Sequence, residues 1–228
     1  MKAAFPRCTQ VLVALVAGAS TVAVAQVATG PAPRAVAFPP ALSVMVGVST
    51  YGARARRDSG ASEFTYPLST GPTVSARLQS PLGRRFGLHV GGGFSYRNPR
   101  EDVGGSPRRS SNERVATMRG EGGLLFRFKP AAPIYFGGGF VYYRHGGDPV
   151  FGQGRGAMTE TGGAFGIGYD FGRKPGSNVA GRIEYWTYFV SPNASGLTSG
   201  VEAKSSARDW TFTVGATYRL RLPERRGS

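Results

Sequence analysis

The stretch from Trp210 to Leu222 constrains this chain most. Seven apolar residues fall there on every second position: Trp210, Phe212, Val214, Ala216, Tyr218, Leu220 and Leu222. Between them stand Thr211, Thr213, Gly215, Thr217, Arg219 and Arg221. A period of two predicts a strand with one apolar and one polar face. A soluble strand runs to about five or six residues, whereas a tilted strand crossing a bilayer needs about 9–11. The alternation here covers 13 residues, which favours the bilayer.

The same period recurs in seven earlier segments. The first, 41–51, puts Leu42, Val44, Val46 and Val48 on one face. The second, 64–80, puts Phe64, Tyr66, Leu68, Val74, Ala76 and Leu78 in one phase, interrupted by Pro67 and Pro72. Segments 85–97, 114–128, 133–144, 158–171 and 178–189 follow, and 210–222 closes the series. Their connections alternate in length. Short turns are expected at Pro81–Arg84, Lys129–Ala132 and Gly172–Ser177, and longer polar loops at 52–63, 98–113, 145–157 and 190–207. Glycine is abundant, with 35 residues, many inside apolar runs such as Gly137-Gly138-Gly139. That disfavours helix and suits strands that bend or pack closely.

Aromatic residues of the apolar phase collect at segment ends. Phe86, Phe126, Phe128, Phe136, Tyr169 and Phe171 stand near the short turns; Phe64, Tyr66, Phe94, Tyr96, Tyr142, Phe189, Trp210 and Phe212 stand near the long loops. Two aromatic girdles around an apolar band are expected of a lipid-facing barrel wall. The opposite phase carries Arg77, His89, Arg119, Glu121, Arg127, Glu160, Asp170, Arg182, Glu184, Arg219 and Arg221. A soluble eight-stranded barrel with its apolar face inward is the competing arrangement. Against it, only 18% of residues are charged, few for a fully solvated exterior.

The first 25 residues read as a secretory signal: basic Lys2 and Arg7, apolar Val11–Gly18, and an Ala23-Val24-Ala25 cleavage site. Its removal takes two cations and no acid, so the net charge falls from +15 to +13. Export, and the lack of any basic helix or zinc-ligand spacing, set nucleic acid aside as a partner. The single cysteine, Cys8, lies in the signal, leaving the mature chain no thiol chemistry. No cofactor is implied. Residues 26–40, rich in proline, are expected to form a flexible leader, and 223–228 a short tail.

On these features the chain resembles the small eight-stranded outer-membrane barrels, the OmpA/OmpX-like superfamily of bacterial outer-membrane β-barrel domains. The resemblance covers residues 41–222 and implies an all-β, antiparallel up-and-down transmembrane barrel in a Gram-negative outer membrane. Thr213, Gly215, Tyr218 and Leu220 fit the spacing of a barrel-assembly signal, though here the chain runs on past the last strand instead of ending on an aromatic. The resemblance implies barrel-assembly machinery and periplasmic chaperones as partners during biogenesis, and a monomer. A C-terminal peptidoglycan-binding domain is not expected.

Three sets of residues carry chemistry. Inside so narrow a barrel, charges must pair. Arg77, His89, Arg119, Glu121, Asp170, Arg182, Glu184 and Arg219 are therefore expected to form a lumen network, with Asp170 beside Arg182 and Arg119 beside Glu121. The alternative is that these charges line a narrow porin-like path. Second, Arg54, Arg56 and Arg57, with Arg100, Arg108 and Arg109, are expected in long loops, where guanidinium forks suit the phosphates of lipopolysaccharide. Third, His145 at the long-loop rim, with Asp148, Ser49 and Ser95 at similar height, is the candidate centre for a lipid-modifying enzyme. Neither His145 nor His89 sits in the His-x-Ser pair of lipid A deacylases, so the expected reading is non-enzymatic and without a metal site.

Overall fold

The structure is a computed structural model. It describes residues 37–59, 62–98, 100–103, 106–110, 114–147, 158–172, 177–193, 197 and 200–220. The signal at 1–25, the leader through 36 and the tail at 223–228 lie outside the described residues.

Among the described residues, eleven strands form one antiparallel sheet. They are β1 (Ala41–Ser59), β2 (Ser62–Pro81), β3 (Phe86–Arg97), β4 (Arg100–Val103), β5 (Ser106–Ser110), β6 (Val115–Phe126), β7 (Ile134–Gly146), β8 (Met158–Phe171), β9 (Val179–Pro192), β10 (Glu202–Ala203) and β11 (Ala207–Arg219). Eight are long staves, each paired with its neighbour in the order β1-β2-β3-β6-β7-β8-β9-β11. β11 then pairs with β1 from Ala41↔Arg219 to Tyr51↔Asp209, which closes the barrel. Closure removes every open edge from the staves, and a bilayer demands this because its interior offers no hydrogen bonds to a bare backbone.

Exposure decides which way the wall faces. Val46 is 57% exposed and Phe140 69%, whereas Arg77 is 2% exposed and Glu184 1%. The apolar phase therefore points outward and the charged phase inward, the reverse of a soluble barrel. On β11 the outward set is Trp210, Phe212, Val214 and Tyr218, with Leu220 exposed just beyond it, and the inward set includes Asp209, Thr211, Thr213 and Thr217. Aromatic contacts tie the short-turn girdle together, with Phe126 packed 5.1 Å from Phe86 and 5.0 Å from Phe128 between ring centroids.

The long-loop end departs from the sequence reading. The expected loop 52–63 is mostly strand, because β1 and β2 extend far beyond the apolar band. The expected loop 98–113 carries the β4–β5 hairpin, which docks on β2 through Phe64↔Val103. The β1–β2 register slips between Ser49 and Ala55. Bulges of this kind reverse which face a residue occupies. Tyr66 and Leu68, in phase with Val74 by simple counting, consequently point inward and are buried.

Residues 37–40 are also not a flexible leader. Ala37 N donates to Arg84 O at 3.1 Å, and Leu220 N donates to Pro40 O at 2.8 Å. Phe38 is fully buried in the short-turn mouth, edge-on to Tyr135 at 5.8 Å and under the guanidinium of Arg127 at 4.8 Å. Gly87 makes room for this ring, since a Cβ there would lie 2.7 Å from the Phe38 side chain.

Candidate functional site

The inward residues stack in three tiers along the lumen. Each tier links staves that are not neighbours in the sheet.

The middle tier is centred on Arg77 of β2. Its Nη1 donates to the Glu184 carboxylate of β9 at 2.5 Å, and its Nη2 donates to Oε1 of Glu121 on β6 at 2.5 Å. Glu184 also accepts from Trp186 Nε1 at 3.0 Å and from the Tyr135 hydroxyl. Glu121 accepts from the Tyr188 hydroxyl at 3.1 Å and lies 3.3 Å from Arg119 Nε. Arg77 lies over the Trp186 ring at 4.6 Å and Arg119 over Tyr188 at 4.9 Å. A buried carboxylate with three or four donors keeps its charge without water. His89 belongs to the same tier and packs 5.4 Å from Trp186.

The tier near the short turns is built on Asp170. Arg182 Nε lies 2.7 Å from its Oδ1, and Arg127 Nη2 donates to its Oδ2. Arg182 Nη1 donates to Ser43 Oγ and Gln79 Oε1, both at 3.0 Å. Gln79 Nε2 donates to Pro39 O at 3.2 Å, which ties the N-terminal segment to the network. Arg219 stands apart from these bonds. It is half-buried at the mouth and lines a pocket of about 20 Å³ with Asp170, Arg127 and Arg182.

The tier near the long loops holds Arg54, which is fully buried. Its Nε lies 2.7 Å from Glu160 Oε1 and its Nη2 pairs with Asp209. Asp209 Oδ1 accepts from Gly52 N at 3.1 Å. Glu160 Oε2 lies 3.2 Å from His145 Nε2, and His145 Nδ1 is 2.9 Å from Thr117 Oγ1. Arg97 donates to Ser49 O at 3.1 Å and Ser49 Oγ at 3.1 Å, and stacks 3.9 Å from the Tyr51 ring.

Arg54 is thus no surface loop residue: the β1 bulges turn it into the lumen. His145 is no rim residue either, because β7 carries it inside, where it is fully buried. Ser49 and Ser95 are likewise lumenal and buried, and Asp148 lies outside the described residues. Arg56 and Arg57 are exposed, with Arg56 Nη2 3.5 Å from Glu202 Oε2. Arg100 lies on β4, and Arg108 and Arg109 on β5; their side chains lie outside the described structure. Of the assembly-signal set, Thr213 faces the lumen, while Tyr218 faces outward from the strand that holds Gly215 and Leu220 is exposed just beyond it.

Sequence reasoning missed Arg97, Asp209 and the inward aromatics Tyr51, Tyr135, Tyr143, Trp186 and Tyr188, all buried. The signal was phase. Tyr135 and Tyr143 alternate with Phe136 and Tyr142, so a strict period of two puts them inside. Among the described residues, six buried arginines face five inward carboxylates. The interior is therefore nearly self-neutralising, and Arg97 takes backbone and hydroxyl oxygens instead. No cluster of three metal-ligating side chains occurs among the described residues.

No family model matches the chain, and no curated protein matches it. Solved structures do. The outer membrane protein OprG from Pseudomonas aeruginosa is 12% identical, with a TM-score of 0.52, the match covering 82% of this chain and 100% of that one. AlkL, an outer membrane protein solved in DMPC lipid bilayers, is 10% identical, with a TM-score of 0.54 over 89% of this chain and 100% of its own. The shared feature is the fold: a small, closed, antiparallel outer-membrane barrel.

Proposed function

We propose that this outer-membrane β-barrel protein is non-enzymatic and structural, a monomer whose lumen is closed by ion-paired side chains and whose long-loop end displays basic groups outward. One observation carries this reading: Arg77 reaches across the lumen to Glu184 and Glu121 at once. An eight-stranded barrel has an interior just wide enough for side chains to fill. With Trp186, Tyr135 and Tyr188 packed on the same carboxylates, this level of the lumen is occupied by protein. Planar-bilayer recording tests it. The closed barrel gives no discrete openings, whereas openings that change in Glu121→Ala or Arg182→Ala establish the porin-like alternative.

The exposed Arg56 and Arg57, on the same end as β4 and β5, suit phosphate-bearing lipopolysaccharide around the barrel. Barrel-assembly machinery and periplasmic chaperones are the partners this fold calls for in biogenesis.

A second reading has one arrangement in its favour. Thr117, His145 and Glu160 form a hydroxyl–imidazole–carboxylate row, the order found in hydrolytic sites. All three are buried within the lumen, so the row serves better as a strut than as a catalyst. Release of fatty acid from lipid A or phospholipid by the purified barrel, lost in His145→Ala, would restore the enzymatic reading.

A further inference from the structure

Two neighbouring turns at the short-turn rim place a basic cluster directly beside exposed aromatic rings. The β2–β3 turn carries Arg84 and Arg85, both exposed, and the β6–β7 turn carries exposed Lys129. Their backbones are fixed: Leu82 N donates to Phe86 O at 3.0 Å, Ala132 N to Lys129 O at 2.9 Å, and Arg127 N to Arg85 O at 2.9 Å, which joins the two turns. Below them runs an aromatic ladder on the lipid-facing wall. Phe86 packs on Phe126, Phe126 on Phe128, and Phe128 on Phe136, with ring centroids 5.1, 5.0 and 5.8 Å apart. Phe128 is 65% exposed. Arg84, Arg85, Phe86 and Pro130 line a concave pocket of about 280 Å³.

Among the described residues the charge at this site has no acidic partner. The sequence holds no Asp or Glu from 64 to 100 or from 122 to 147, the two stretches that build the turns and their staves. Arg84, Arg85 and Lys129 make no ion pair with a carboxylate among the described residues, unlike exposed Arg56 at the opposite rim, which meets Glu202. Height matters as well. Aromatic girdles lie where acyl chains give way to headgroups, and basic side chains just beyond them reach the phosphates.

We propose that this rim is a binding site for one anionic phospholipid of the leaflet facing the short turns. Its phosphate is held by Arg84 and Arg85 with Lys129 alongside. Its acyl chains lie along Phe86, Phe126 and Phe128. Guanidinium groups match phosphate oxygens in fork geometry, and the fixed turns present them without reordering. The site depends on the barrel fold and not on whether the lumen conducts.

Native mass spectrometry of the detergent-solubilised barrel, titrated with phosphatidylglycerol or with zwitterionic phosphatidylethanolamine, tests the site. Because basic side chains beside the headgroup favour a net negative lipid, phosphatidylglycerol is expected to bind about tenfold or more tightly. The triple variant Arg84→Gln, Arg85→Gln, Lys129→Gln loses that preference, while Arg84→Lys with Arg85→Lys keeps most of it. Arg56→Gln with Arg57→Gln, at the other rim, leaves it intact. Heat-modifiable migration confirms that each variant is folded, and the lysine pair preserves the test should the triple variant fail to fold. Equal binding of the two lipids overturns the proposal. So does a preference that survives the triple variant, or one lost equally in the distant pair.

Discussion

Arg77 of β2 and Glu184 of β9 bond at 2.5 Å although β1 and β11 stand between their strands on the short way round the barrel. Their bond is a chord across the lumen. It forces the wall to a fixed width at mid-height, and Glu121 extends the same chord to β6.

Removing one end of that chord strands a buried charge. Arg77→Ala leaves Glu121 and Glu184 without their shared cation and is expected to cost about 3–5 kcal/mol, the range for breaking a buried ion pair. Urea unfolding of the barrel in lipid vesicles, followed by loss of heat-modifiable migration, measures it. Glu184→Gln in the Arg77→Met background is expected to recover much of the loss, because Glu121 keeps Arg119 as its counter-ion and Arg182 keeps Asp170.

Gly166 sits under the Trp186 ring, and a Cβ there would meet ring atoms at 2.3 Å. Gly166→Ala is therefore expected to destabilise the barrel by about 1–3 kcal/mol through overpacking. Gly168 has the same relation to Tyr135, with 2.1 Å to the nearest ring atom. Trimming Trp186 to Leu should make Gly166→Ala nearly neutral in that background. Equal effects in the two backgrounds would show that the ring is not what excludes the methyl group.

Two arginines three residues apart are expected to behave oppositely. Arg54 is fully buried between Glu160 and Asp209, whereas Arg57 is exposed. Arg54→Leu should cost about 3–5 kcal/mol by stranding two carboxylates, and Arg57→Gln should stay within about 0.5 kcal/mol. The same unfolding titration compares them.

Phe38 closes the short-turn mouth. Phe38→Ala removes a fully buried ring and is expected to cost about 3–5 kcal/mol, or less where the mouth relaxes. Protease added from the short-turn side should then cut near residues 37–40, which the parent barrel protects.

The alternation on β11 and the short-turn, long-loop pattern made the barrel legible in sequence, because a period of two maps directly onto wall and lumen. Asp170 beside Arg182 was legible for a similar reason: a short turn fixes the β8–β9 register, which sets the two side by side. Three things were not. The β1–β2 bulges shift phase, so Arg54 and Tyr66 turn inward against simple counting. Partners across the lumen, such as Arg77 and Glu184, depend on barrel closure and on the stagger of strands far apart in sequence. Residues 37–40 have no period at all, and only the empty mouth with Tyr135 and Arg127 at its edge gives Phe38 a place to go.

A closed, protein-filled lumen inside a lipid-facing wall can be tested one position at a time. Ser75 and Val74 are adjacent on β2; Ser75 is 5% exposed and points inward, and Val74 is 45% exposed and points outward. Cys8 is the chain's single cysteine, so a Cys8→Ser background reports on one introduced thiol. Ser75→Cys is nearly isosteric. With the folded barrel in vesicles, a water-soluble maleimide should leave Ser75→Cys unmodified until the protein is unfolded, while a lipid-soluble maleimide should modify Val74→Cys. Rapid modification of Ser75→Cys by the water-soluble reagent in the folded barrel would contradict a filled lumen, since it would mean that water and solutes reach the interior beside Arg77.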